Sequence, residues 1–523
     1  TQKMIQLLQR QALCHITGVE DAIPDKIRES YNLCHYQFAI ENIHFPKDTT
    51  ALELAKRRLI FEELLIFGLG ITMLRKSRIV QTATPIKNTD ISAFIKALPF
   101  TLTQGQQDAI SDGLADMQQS VPMNRLCQGD VGCGKTMVAS ALAYACAING
   151  FQTAIMAPTQ ILAEQHYKTI SQLLQPLGIS VCLVTSKMNN RKEIISNIKN
   201  GTISIVIGTH AILTDDVEFD KLNLVVTDEQ HRFGVSQRSK LSQKGENPHL
   251  LVMSATPIPR TLALIIYGDL DISVIAQLPN GRQKIETYSV SSKKRARALN
   301  FIKKHIDEGR QAYIVCPLIE ENESDLISTN EYMDMVKSTP LNEYSIALLD
   351  GKMKNSEKEK VMSDFRDNKI KLLIATSVVE VGVDVPNAVV MLIENAERFG
   401  LSQLHQLRGR VGRGEYQSYC ILISDNQSED TKKRLSVMTK TCDGFEIANQ
   451  DLMQRGPGDF FGVKQHGLPK MKIANLVSDM QTLQETQKIA IDILQQDSDL
   501  SNHKLLKEKV EKLFSQTKQD ILN

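Results

Sequence analysis

One stretch limits what this chain can be more than any other: GDVGCGKT, from Gly129 to Thr136, which fits the spacing G-x-x-x-x-G-K-[ST]. Its glycines permit a tight turn in which successive backbone N–H groups point inward at phosphate oxygens. Lys135 would reach the terminal phosphates as a point charge, and Thr136 would place its hydroxyl on Mg2+. MNRLCQ before the loop can end a short strand, and MVASALAYACAI after it reads as an Ala- and Leu-rich helix. A phosphate loop needs that strand–loop–helix setting, and the helix N-terminus adds a favourable dipole. Gly129, Asp130, Val131, Gly132, Cys133, Gly134, Lys135 and Thr136 are therefore expected to cradle ATP.

The surrounding pattern agrees. From Phe100 to about Ala276, apolar β-rich runs (TAIMAP, SVCLVT, ISIVIGT, LNLVVTDE, HLLVMSAT) alternate with helical stretches such as Gln160–Leu174. That predicts an α/β domain with a parallel sheet. A second alternating block runs from about Glu286 to Ser424, with strands at QAYIVCP, SIALLD, IKLLIATS, AVVMLIE and SYCILIS, and has no phosphate loop of its own. A long helix is expected from Ala51 to about Lys76, capped by Asp48-Thr49-Thr50; Lys56, Arg57, Arg58, Arg75, Lys76 and Arg78 read as a solvated basic face or a phosphate-backbone contact. The tail from Ile473 reads as polar and helical. A chain of 523 residues exceeds one compact core and suggests about three domains.

Composition narrows the partners. A net charge of +1 excludes attachment to nucleic acid by bulk charge, and the lack of Trp argues against a platform of stacked bases. Nine scattered cysteines without CxxC or zinc spacing read as buried thiols in a reducing compartment. The beginning, TQKMIQLLQRQ, lacks a signal-peptide core, and the longest apolar run, Leu64 to Leu74, is about half a membrane span, so the expected location is cytoplasmic.

Two further clusters supply chemistry. LVVTDEQH sets Asp228 and Glu229 at a strand end. Asp228 suits a hold on Mg2+, and Glu229 suits deprotonating a water for attack on the γ-phosphate. Phosphoryl transfer also needs positive charge beyond the γ-phosphate. QLRGRVGRG in the second block offers Gln406, Arg410 and Arg413, read as aimed at one point from a helix start. If these complete the ATP site, the two blocks face each other across the nucleotide, and hydrolysis is coupled to closure: a motor. Hydroxyls near other strand ends, Thr159, Thr209, Ser254, Thr256 and Thr376, each read alone as a helix cap, but several in register on two blocks suit the phosphates of a nucleic-acid strand presented to loop tips.

Together, GDVGCGKT, APTQILAEQH, VIGTHAIL, DEQHRFGVSQR, MSATPIPRT, ATSVVEVGVDVPNA and QLHQLRGRVGRG resemble the ordered motifs of superfamily 2 helicases. CPLIEENE, GKMKNSEKEKVM and DGFEIANQDLMQRGPGDFFGVKQHG further resemble RecG-type ATP-dependent DNA helicases, and the likeness covers the chain from about Ile43. The resemblance implies two tandem RecA-like parallel-sheet motor domains, with a helical N-terminal connector and a C-terminal helical-hairpin translocation segment. The corresponding boundaries are 1–82, 83–285, 286–435 and 436–523. It implies an ATP- and Mg2+-dependent, double-stranded DNA translocase that regresses forks and migrates Holliday junctions in recombination and repair. A monomer is expected, with single-stranded DNA-binding protein as a further partner.

By the same resemblance Phe100 stacks on the adenine and Gln106 bonds its edge; Gly382 and Asp384 join the ATP site; Asp228, Glu229, Gln230 and His231 form a DEAH-like box; Arg455 and Gln465 link nucleotide state to movement. Two departures stand out. Residues before Ile43 show no five-stranded wedge domain, so the chain reads as the motor portion of a longer protein. Asp350 stands before Gly351 where His is expected. A transcription–repair coupling translocase shares several of these motifs, but its polymerase-binding modules are not evident. A non-motor, ATP-gated DNA scaffold is opposed by the full hydrolytic set.

Overall fold

The computed structural model describes residues 2–14, 20–78, 82–185, 188, 190–228, 240–254, 270–277, 283–317, 329–351, 353–376, 384–460, 471–475 and 478–522. The chain divides into two compact units, one taking in Thr1–Val80 and Leu452–Asn523, the other Gln81–Pro259 and Asp271–Asp451.

The second unit holds two parallel sheets. The first contains β1 (Asn124–Gly129), β2 (Gln152–Met156), β3 (Val181–Val184), β4 (Ile205–Gly208), β5 (Leu222–Asp228), β6 (His249–Ser254) and β7 (Asp271–Ile275), in the order β3-β4-β2-β5-β6-β1-β7. The other contains β8 (Glu286–Val290), β9 (Gln311–Val315), β10 (Ile346–Leu349), β11 (Leu372–Ala375), β12 (Ala388–Ile393) and β13 (Tyr419–Ile423), ordered β10-β11-β9-β12-β13-β8. The helices that matter for the site are α1 (Gln104–Met117), α2 (Lys135–Ile148), α3 (Gln160–Leu174), α4 (Asn355–Arg366), α5 (Leu401–Arg408) and α6 (Glu429–Lys440).

Inner strands such as β2 and β12 are buried at every residue, because both faces of a parallel sheet are covered. Their apolar runs made them legible in the sequence. β7 and β8 have no such run. They lie at the edges of their sheets, beside β1 and β13; β7 buries only Ser273 and Ile275 and β8 buries no residue, so DISVI and ETYSV carry little apolar signal.

The first unit is helical. Helix Thr49–Arg78 starts where Asp48 Oδ1 accepts the Ala51 N–H at 2.7 Å, as its cap predicts. Its Phe61, Leu65 and Leu69 pack with Ile489, Ala490 and Ile493 of helix Met480–Gln496 and with Leu506 and Val510 of helix Lys504–Leu522. The two ends of the chain thus share one core. One expectation is overturned here. Arg58 is fully buried, pairs with Asp21 and donates to Glu62 Oε2 at 2.7 Å. It is neither a solvated charge nor free to meet a phosphate. No helix among the described residues is long and apolar enough to cross a membrane.

Candidate active site

The phosphate loop leaves β1 at Gly129 and enters α2 at Lys135. Gly134 has φ of +89°, and a Cβ there would lie 2.1 Å from Gln106 Nε2. Only glycine satisfies both the left-handed backbone and that approach. Lys135 Nζ donates to the carbonyls of Gly129 at 2.7 Å and Asp130 at 2.9 Å, which holds the ammonium inside the loop. Thr136 is half-buried in the first turn of α2, Gly132 is exposed, and Cys133 is buried with its Sγ 3.7 Å from Lys135 Nζ.

Gln106 is the N3 residue of α1. Its Oε1 accepts the Thr103 N–H at 2.9 Å while Thr103 Oγ1 accepts the Gln106 N–H, a capping box encoded by T-L/T-Q-G-Q spacing. Its Nε2 donates to Cys133 O at 2.8 Å, so the adenine motif is tied to the phosphate loop. The amide keeps a second N–H and a second lone pair for a base edge. Phe100 is 48% exposed and lines a groove of about 650 Å³ with Ile95, Leu98 and Leu114.

Asp228 ends β5. The registers set Asp228 beside Met253 of β6, and Met253 beside Cys127 of β1, so its backbone stands two strands, roughly 9–10 Å, from the strand that carries the loop. Its Oδ2 meets His166 Nε2 of α3 at 2.8 Å.

Helix α5 brings the other sheet to the loop. His405 Nε2 bonds Asp130 Oδ1 at 2.6 Å, and a Cβ at Gly409 would lie 3.0 Å from Val131 Cβ. Arg408 donates to His405 Nδ1 at 2.8 Å, so the ring proton sits on Nε2 and points at Asp130. Arg408 also donates to the carbonyls of Met438 (2.8 Å) and Thr441 (3.0 Å) at the end of α6. Burial alone would raise the Asp130 carboxyl, but the His405 hydrogen bond, the Val131 N–H and the Lys135 charge outweigh it and hold the carboxyl below its usual range. Asp451 Oδ2 accepts from the Ser402 N–H and Oγ at the start of α5.

Arg410 and Arg413 are not at a helix start, as expected, but follow the C-terminal end of α5. Gly409 is the C-cap there, and the residue after the tight Gly409–Val131 approach is Arg410, which is 6% exposed. Arg413 Nε donates to Gly409 O at 3.1 Å, and its Nη1 lies 3.5 Å from Asp384 Oδ1. Gln406 is half-buried in the same helix.

The hydroxyl set departs from the expectation of loop tips. Thr159 is the N-cap of α3, its Oγ1 accepting the Leu162 N–H at 3.4 Å. Thr209, Ser254 and Thr376 are buried at the C-terminal ends of β4, β6 and β11. Glu229, Gln230, His231, Thr256, Gly382 and Gln465 lie outside the described residues. Arg455 falls in helix Gly444–Phe460, with its side chain likewise outside the description.

The sequence reading passed over His166, His405, Arg408 and Asp451. The signal was present for two of them. His166 lies two turns after the Thr159 cap on one helix, and His405 adjoins Gln406 in QLHQLRGR. Their partners are 62 and 275 residues away, which no local pattern can reveal.

Comparison with known proteins follows this geometry. Residues 103–265 match the DEAD/DEAH box helicase family, 293–415 the helicase conserved C-terminal domain, and 441–519 the family described as ATP-dependent DNA helicase RecG, domain 3, C-terminal. The chain is 46% identical over 505 residues to the ATP-dependent DNA helicase RecG of Bacillus subtilis, covering 95% of this chain and 74% of that one. It is 42% identical to RecG of Streptococcus pneumoniae over 90% of this chain and 71% of the relative. A solved structure of RecG bound to a three-way DNA junction superposes with a TM-score of 0.75 at 40% identity, over 92% of this chain and 64% of that one.

Proposed function

The chain belongs to the RecG family of ATP-dependent DNA helicases, and from that premise we propose that it is a double-stranded DNA translocase that remodels forks and Holliday junctions in recombination and repair. As a member of this family it is an ATP-hydrolysing enzyme. The observation that most supports the reading is the junction of α5 with the phosphate loop, His405 on Asp130 and Gly409 on Val131. It sets the Arg410–Arg413 segment beside the nucleotide loop, so ATP closes the two sheets and hydrolysis releases them.

In this reading Lys135 neutralises the β/γ-phosphates, Glu229 activates the water, and Gln406, Arg410 and Arg413 meet the developing charge. Phe100, Gln106, Gly382 and Asp384 complete the nucleotide site. The donor set suits Mg2+. A hydroxyl and a carboxylate are present for it: Thr136 ends the loop, and Asp228 ends the strand two places from β1 in the sheet. Mg2+ is held in this way, by one or two protein oxygens plus phosphates and water, and would neutralise phosphate charge. Thr159, Thr209, Ser254, Thr256 and Thr376 grip the DNA backbone, and Arg455 and Gln465 carry the motion to the duplex. We further propose segments 1–82, 83–285, 286–435 and 436–523 as connector, two motor domains and translocation segment. The working state would be a cytoplasmic monomer that meets single-stranded DNA-binding protein at forks.

The test is a synthetic four-way junction incubated with the chain, ATP and Mg2+. Conversion of the junction to duplex products, with no conversion by Lys135→Ala, is the expected result. ATP turnover on linear duplex with no junction processing would reject the branched-DNA part of the reading and leave the motor part standing.

A further inference from the structure

We infer, on the reading of helix Gly444–Phe460 as part of the translocation segment, that His405 and Arg408 are positioning residues that carry the state of the phosphate loop to the N-terminus of that helix.

Arg408, the last residue of α5, is a buried charge, 1% exposed. Among the described residues it touches no carboxylate. Its donors go to His405 Nδ1 at 2.8 Å and to the carbonyls of Met438 at 2.8 Å and Thr441 at 3.0 Å, with Thr287 Oγ1 at 3.5 Å. A buried guanidinium is costly unless its charge is answered, and packing alone would favour an apolar side chain there. The answer lies one residue away. The neutral His405 ring accepts from Arg408 at Nδ1 and donates from Nε2 to Asp130 Oδ1 at 2.6 Å. The buried cation and the anion of the phosphate loop therefore polarise the same imidazole. The Asp130 carbonyl in turn accepts Lys135 Nζ at 2.9 Å, so phosphates that draw the ammonium toward themselves alter the hold on Asp130.

On its other side Arg408 reaches the translocation helix. Met438 and Thr441 close α6, whose C-terminal carbonyls favour a cation. Thr441 Oγ1 accepts the Asp443 N–H at 3.1 Å, and Asp443 Oδ1 accepts the N–H groups of Phe445 at 2.8 Å and Glu446 at 3.4 Å. Asp443 thereby caps helix Gly444–Phe460, satisfying donors that its first turn leaves open. From Asp130 to that cap the path runs through hydrogen bonds and the Thr441 backbone, and Arg408 is its midpoint. Asp451 of the same helix accepts from Ser402 at the other end of α5, which keeps the helix docked when Arg408 is changed.

The experiment uses the full chain and reads hydrogen–deuterium exchange of the amides of residues 441–446, with and without a saturating non-hydrolysable ATP analogue and Mg2+. In the parent, exchange there should change several-fold on nucleotide binding. The change should vanish in Arg408→Met, which keeps the stem and loses the charge, and in His405→Leu. It should return in His405→Gln, whose one amide carries both a donor for Asp130 and an acceptor for Arg408. If a single variant does not fold, the double variant His405→Leu/Arg408→Met, which leaves no unanswered buried cation, carries the test. No change in the parent, or the parent's change in a folded Leu or Met variant, overturns the inference. Base pairs moved per ATP, read by triplex displacement, should also fall several-fold in Arg408→Met while ATP turnover without DNA holds. Falls in proportion would make Arg408 a residue of stability alone and reject the relay. Arg455→Ala separates the two levels. If it moves DNA as the parent does, the translocation reading of the helix fails; if it stalls while Arg408→Met moves normally, only the relay fails.

Discussion

At the scale of single residues, the loop's chemistry depends on few atoms. Lys135 is the one lysine of the loop, and its Nζ already converges on the Gly129 and Asp130 carbonyls. Replacing it with Ala should lower DNA-stimulated ATP turnover by about 10²–10³-fold, the usual effect of deleting one preorganised charge donor. A coupled phosphate-release assay checks this, and turnover within twofold of the parent would contradict the assignment. Glu229→Gln should be equally silent in the same assay. These residues were legible in the sequence because each sits at a fixed offset from a strand end. His405 was not legible. Its partner, Asp130, is 275 positions away, and only the approach of α5 to the loop joins them.

At the scale of elements, two buried polar groups give measurable signatures. Arg58 joins the Asp21 loop to Glu62, and Lys509 of the C-terminal helix pairs with the same Glu62. Arg58→Ala would leave Asp21 without its cationic partner and Glu62 with Lys509 alone, and should cost about 3 kcal/mol of the helical unit's stability by denaturant titration. Arg58→Met should cost less only if the carboxylates find water. On β6, burial lowers the His249 imidazole from 6.5 to about 4, and its neutral Nδ1 accepts the Met123 N–H at 2.9 Å. The unfolded chain takes up a proton near pH 6.5 that the folded chain refuses until about pH 4. This contribution is complete above 6.5 and lost as pH falls toward 4, on the order of 3 kcal/mol. Thermal melts between pH 7 and 4 should show that slope, and His249→Asn should flatten it, since its Oδ1 can accept the same N–H without titrating. Inner strands and the long helix were readable because burial imposes apolar runs and a 3.6-residue period. β7 and β8 were not, because an edge strand needs neither.

At the scale of the whole molecule, the issue is coupling. α5 bonds the phosphate loop through His405, α6 through Arg408 and helix Gly444–Phe460 through Asp451. Arg455 lies one turn beyond Asp451 on that last helix. Arg455→Ala should therefore keep ATP turnover within about threefold while movement along duplex DNA, read by triplex displacement, is lost. Equal loss of both would place Arg455 in the hydrolytic site instead.

The sequence by itself determined the motifs and the fold class: a loop of phosphate-loop spacing between strand and helix, an acidic strand end, an arginine-bearing segment, and two parallel α/β blocks to hold them. Those follow from local rules, since a left-handed glycine, a buried strand and a helix cap each constrain residues within a few positions. Only the tertiary structure decided which of these groups meet. The bonds of His166 to Asp228 and His405 to Asp130, the burial of Arg58, and the union of the chain's two ends join residues 37 to several hundred positions apart. Sequence pattern records what each residue does for its own helix or strand. The partner across the fold is set by packing.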